Sequence, residues 1–183
     1  MPPTVLTQQV LAQKVLAQKV LTPKVLTGGC QCGAVRYALE SMPEGAHLCH
    51  CRMCQKAVGG PFAALAPVRL AHFRWTRGTP GRFDSSNLAY RDHCTACGTP
   101  LSFGYHGKDW IDVTIGSLDE PDLVPPVREY GIESRLAWCV PSVLNALPGQ
   151  DITGMMSGQK VTVISHQHPD HDTPDGWTRN AGP

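Results

Sequence analysis

The chain has 183 residues, 42% of them hydrophobic and 17% charged, with a net charge of +1 at neutral pH. That length fits one domain with tails, and so small a charge gives no electrostatic case for nucleic acid or an anionic membrane surface. No apolar run approaches the roughly 18 residues that span a bilayer, and no compact secretory h-region stands near the start.

Val-Leu pairs recur at 5–6, 10–11, 15–16, 20–21 and 25–26. A five-residue period turns about 140° per step on a helix and flips face on a strand, so neither gives a continuous apolar stripe. Residues 1–26 are therefore predicted to be a disordered leader. A native start near Val20 or Val25 is one explanation of the repeat.

Residues 27–148 read as the compact region, rich in Gly and Pro turns. Segments 34–39, 61–68, 73–76, 101–105 and 110–115 have strand character, with β-branched or aromatic residues between breakers. Cys51 to Val58 is the predicted helix. Short strands bury little apolar area each, so metal crosslinks would add stability. The expectation is a mainly β, metal-stapled domain. Residues 149–183 form a polar tail with at most one strand, Val161 to Ile164.

Seven of the eight cysteines fall into three groups: Cys30 and Cys32; Cys49, Cys51 and Cys54; Cys94 and Cys97. Thiolates two or three residues apart on a turn converge on one metal ion, and two such pairs make the tetrahedral four-sulfur shell that zinc prefers. The middle group has three sulfurs and no evident fourth partner. Disulfides fit poorly, since neighbouring thiols seldom have bridging geometry and no export signal accompanies them. A reducing cytoplasm is the expected setting.

GGCQCGAVRY (28–37), CHCRMCQKAVGG (49–60) and RDHCTACGTPLSF (91–103), followed by IGSLDEP (115–121) and Trp138, stand in this order. Together they resemble the glutathione-dependent formaldehyde-activating enzyme family, which includes centromere-protein-V-like members. The resemblance covers roughly residues 27–148. It implies a compact β-tent and two zinc ions, a structural one on Cys30, Cys32, Cys94 and Cys97 and a second, labile one on Cys49, Cys51 and Cys54. It also implies chemistry at the second zinc: glutathione and formaldehyde combine to S-hydroxymethylglutathione, formally a carbon–sulfur lyase reaction. Three thiolates leave a coordination position for an incoming thiol, which fits. Alternatives stay open: the trio is purely structural, or the protein is a glutathione carrier or a non-catalytic zinc-stabilised interaction module.

Around these groups, Gly29, Gly33 and Gly98 are expected to serve turns with positive φ or close approach to sulfur. His50 is expected to face solvent. Arg52 and Lys56 either pair with a glutathione carboxylate or are solvated. Asp119, Glu120 and Asp122 read as a turn, and Cys139 as a small core residue. The tail string His166-Gln167-His168-Pro169-Asp170-His171 resembles the metal-binding signature of metallo-β-lactamase-fold hydrolases. Only twelve residues follow it, so the remaining ligands of that fold are missing, and a chance or adventitious metal binder is the favoured reading.

Overall fold

A computed structural model describes residues 25–147, 166–174 and 177. Its strands are β1 (Leu26–Gly29), β2 (Arg36–Leu39), β3 (His47–Cys49), β4 (Ala63–Arg69), β5 (Phe73–Arg77), β6 (Gly81–Asp84), β7 (Ala89–His93), β8 (Pro100–Tyr105), β9 (Trp110–Thr114) and β10 (Arg128–Tyr130). Helix α1 is Arg52–Val58, and the four-residue α2 is Pro141–Leu144. The protein is mainly β, as predicted. Among the described residues no helix is long and apolar enough to cross a membrane.

One sheet has three strands in the order β1-β2-β5, and the other has seven in the order β10-β3-β4-β9-β8-β7-β6. Neighbours pair antiparallel except β10, which runs parallel to β3. The main core lies between the sheets. Tyr37 and Leu39 of β2 pack there with Ala66 and Val68 of β4, Leu101 of β8 and Ile111 and Val113 of β9. Side chains alternate faces along a strand, so the residues between these belong to the opposite face. Leu65 and Ala63 of β4 pack there with Cys54 of α1. Thus the large sheet holds the core on one face and carries the middle cysteine group on the other.

The five predicted strand segments correspond to β2, β4, β5, β8 and β9. Five strands were missed, β1, β3, β6, β7 and β10; of these β3, β6, β7 and β10 read HLC, GRFD, AYRDH and REY. They are short and polar, so their pairing comes from sheet neighbours rather than an apolar pattern of their own. Leu26, placed in the leader by the repeat, is buried in β1. The four earlier Val-Leu pairs and the predicted strand Val161 to Ile164 lie outside the described residues.

One part of the tail is not loose. The His168 backbone N–H donates to the Gln31 carbonyl at 2.7 Å, and its imidazole is buried. Arg36, also buried, donates to both carboxylate oxygens of Asp119 and to Asp172. Segment 166–174 is therefore docked on the turn between β1 and β2, because the Arg36 guanidinium has more donors than Asp119 alone can accept.

Candidate metal centre

Cys30 and Cys32 stand on the turn joining β1 to β2, and Cys94 and Cys97 on the turn joining β7 to β8. Their four Sγ atoms lie within 4.8 Å of one another. Cys32 is 3.5 Å from Cys30 and 3.8 Å from Cys94, sulfur to sulfur. Zinc–sulfur bonds of about 2.3 Å in a tetrahedron place sulfurs about 3.8 Å apart, so the donor set fits that ion. The turns are built for it. Gly33 and Gly98 take φ of 73° and 80°, which only glycine adopts at little cost. A Cβ on Gly29 would sit 2.5 Å from the Val35 carbonyl oxygen. The Val35 N–H points at the Cys30 sulfur (3.2 Å), and the Thr99 hydroxyl lies 3.2 Å from that of Cys97.

Without a cation these thiols are electrostatically unequal. Burial pushes Cys32 up to about 12. Burial also raises Cys97, but hydrogen bonds from Thr99 and Cys32 outweigh it and bring the thiol down to about 6. Burying several thiolates together without a cation is unfavourable, and a divalent metal relieves it. No cysteine is disulfide-bonded.

The second set is assembled differently. Cys49 ends β3, Cys51 is the N-cap of α1 and Cys54 lies in its first turn. Cys51 takes extended φ and ψ of −61° and 149°, and its sulfur accepts the Cys54 backbone N–H at 3.4 Å. A cap residue thus doubles as a candidate ligand. The three sulfurs lie within 4.8 Å of one another, Cys49 and Cys51 at 3.6 Å. Among the described residues no fourth Cys, His, Asp or Glu joins them. Burial pushes Cys49 up to about 12. Burial raises Cys51 too, but the Cys54 backbone N–H and other hydrogen bonds outweigh it and lower the thiol. Cys54 stays raised by burial although the Arg91 guanidinium opposes this, Nη2 donating to its sulfur at 3.4 Å.

The trio opens into a cavity of about 760 Å³. Arg91, Phe103, Trp110, Asp112, Arg128 and Tyr130 are among its walls. The strand register explains the assembly: Phe103 faces Asp112 across β8 and β9, and Arg91 faces Phe103 across β7 and β8. The Arg91 guanidinium carbon lies 4.8 Å from the Phe103 ring centroid. Arrangement and donor chemistry suit a metal ion with a vacant position beside a cationic, aromatic-walled space.

Among the flanking residues, His50 is placed otherwise than predicted. His50 is buried, not solvent-facing: its Nε2 lies 3.2 Å from Glu129, and its ring packs edge-on to Phe62. The turn into α1 directs it inward because Gln55 holds the His50 carbonyl at 2.7 Å. Arg52 and Lys56 are exposed and do not line the trio's cavity, where the cations are Arg91 and Arg128. Asp119 stands in a turn, as expected, with its carboxylate locked to Arg36 and Thr27. Cys139 is buried beside exposed Trp138. His166, His168, Asp170 and His171 form no metal-binding group among the described residues; His168 is instead 2.9 Å from the Thr173 hydroxyl. The cavity residues Arg91, Asp112 and Arg128 escaped sequence reading. For Asp112 a signal existed, since Trp110, Asp112 and Thr114 alternate with apolar Ile111 and Val113.

No curated protein matches the chain. Among solved structures, the crystal structure of a Rhodobacter sphaeroides protein, a structural-genomics target, is 25% identical with a TM-score of 0.42, covering 56% of this chain and 98% of that one. The family model described as glutathione-dependent formaldehyde-activating enzyme matches residues 25–134, a span that includes both cysteine sets and the cavity walls named above. The chain belongs to the glutathione-dependent formaldehyde-activating enzyme family.

Proposed function

We propose that the protein is a zinc-dependent carbon–sulfur lyase or synthase that joins glutathione and formaldehyde to S-hydroxymethylglutathione. The observation that carries this reading is a trio of converging cysteines with no fourth protein ligand among the described residues, at the wall of a cavity with room for a tripeptide-sized thiol. A zinc ion held by Cys49, Cys51 and Cys54 would supply a vacant position that favours the thiolate form of an incoming thiol. Cys30, Cys32, Cys94 and Cys97 hold the scaffold zinc and tie the two hairpin turns together.

Around the trio the chain supplies charge and shape. Arg91 and Arg128 face the cavity from β7 and β10, suited to the two carboxylates of glutathione. Phe103, Tyr105 and Trp110 wall the space with aromatic surface and limit water around the sulfur. So many free thiols suit a reducing compartment such as the cytoplasm.

Exchange NMR at chemical equilibrium tests the reaction, reading formaldehyde–glutathione interconversion above the spontaneous rate. Wild type should accelerate it, and Cys51→Ser should lose both the acceleration and glutathione binding. Binding without acceleration in wild type would instead identify a carrier or interaction module.

A further inference from the structure

We propose that Asp112 is the proton carrier of the thiol–aldehyde addition, an assignment that rests on the reaction proposed above. Asp112 occupies the middle of β9, 4% exposed, on the face opposite core residues Ile111 and Val113. Its cross-strand neighbours are Pro67 and Phe103, and it lines the same cavity as Cys49, Cys51 and Cys54. It hydrogen-bonds to none of the three sulfurs.

The other inward aspartates are neutralised. Asp92 accepts from Arg82 and Ser102, and Asp119 from Arg36 and Thr27. Asp112 has no ion pair among the described residues; the Trp110 indole is its hydrogen-bond partner. A carboxylate buried without a cation destabilises the fold, and such uncompensated groups concentrate where chemistry needs them. Burial pushes Asp112 up to about 6, only partly offset by Trp110. That places its proton exchange near working pH. Of the other ionisable cavity groups, Glu44, His47, Arg91, Tyr105, Arg128 and Tyr130, the rival carrier is His47. Its Nδ1 is 3.4 Å from the Gly45 carbonyl, and its ring packs edge-on to Tyr130.

In the forward direction the Asp112 carboxylate takes the thiol proton as the S–H bond breaks. Sulfur donates its electron pair to the formaldehyde carbon, the C=O π pair moves to oxygen, and Asp112 returns the proton to that oxygen. The balance is RSH + H₂C=O → RS–CH₂–OH, with no oxidant or reductant. The reverse reaction uses the same carboxylate on the adduct hydroxyl.

The test is turnover at saturating glutathione from pH 5 to 8 by exchange NMR, with bound zinc and glutathione affinity measured on each protein. Wild type should show a limb rising through about pH 6. Asp112→Asn should lose that limb and about a hundredfold in turnover, the low end of general acid–base effects of about 10²–10⁴-fold. Its zinc content and glutathione affinity should stay within about twofold, a change worth under ~0.5 kcal/mol. Acetate should partly restore Asp112→Ala, and His47→Gln should keep the limb. A flat wild-type profile, an Asp112→Asn rate within twofold of wild type, or loss of the limb in His47→Gln overturns the assignment while the reaction stands. A wild type that fails to accelerate the exchange at all overturns the underlying reading, and this assignment with it.

Discussion

Arg91 reaches from β7 to donate to the Cys54 sulfur at 3.4 Å, while its own strand leads directly into the turn that carries Cys94. One arginine thus links the two cysteine sets, through space to the trio and through three residues of chain to the other. Hydrogen-bonding partners of metal ligands typically carry about 10–100-fold in metal affinity. Arg91→Gln should lower the trio's zinc affinity by that order and leave the four-sulfur set loaded. Competition with a chromophoric chelator reads both sites; equal weakening of the two would count against the link.

The two sets should fail differently when a sulfur is removed. Cys94 is 1% exposed and packs in the main core with Leu26, Tyr37 and Leu101. Cys94→Ser leaves a hydroxyl there and a metal shell one ligand short, so insoluble protein or a melting temperature more than about 10 °C lower is expected. Cys51, the N-cap of α1, is half-buried and lies outside the main core. Cys51→Ser keeps a capping oxygen, and its melting temperature should fall by no more than a few degrees. Thermal unfolding of both variants, with metal content, checks the contrast.

Arg36 and Asp119 are 2% and 8% exposed at the side chain. Burial raises the Asp119 carboxyl, but Arg36 and Thr27 outweigh it and hold it below the usual carboxylate range of about 3.8. A folded-state pKa below the unfolded value gives stability that is present above that unfolded value and lost as pH falls through the folded one. Asp119→Asn should therefore cost roughly 3–5 kcal/mol at pH 7, with the gap closing below about pH 4. Urea unfolding at the two pH values decides; a pH-independent difference would mean the pair contributes packing alone.

His168 supplies the opposite kind of group, a histidine held neutral. Burial lowers its pKa first, and the nearby Arg36 and Arg77 charges lower it further. Docking of segment 166–174 is then complete above the ordinary histidine value of about 6.5 and weakens as pH falls through the lower folded value. A chain ending at residue 165 should be less stable than the full chain at pH 7.5, with the difference shrinking as pH falls below the ordinary histidine value of about 6.5. Paired melting curves across that range measure it; parallel curves would show that His168 protonation does not govern the docking.

The cysteine groups were legible because metal ligation imposes spacing on neighbouring residues, and spacing is what a sequence displays. The helix over 52–58 was legible for a related reason, since Cys51 is both candidate ligand and cap. Arg91 and Arg128 were not, because they come from β7 and β10, strands without an apolar pattern. Their approach to the trio exists only after β3, β4, β9, β8 and β7 have paired side by side. His50 misled for a local reason. A polar residue between two closely spaced cysteines looks exposed until Gln55 and Glu129 are seen to receive it. What the tail string does was not legible, for its buried histidine serves Thr173 and Gln31, partners that only the fold brings to it.

The central claim is that one sulfur set is closed and the other keeps a position for a thiol. Metal content and zinc-edge X-ray absorption of freshly purified protein, with and without glutathione, test it directly. Two zinc equivalents are predicted, with the average sulfur coordination rising from below four toward four when glutathione is added. A single equivalent, or two whose sulfur coordination is already four and does not respond to glutathione, would contradict it.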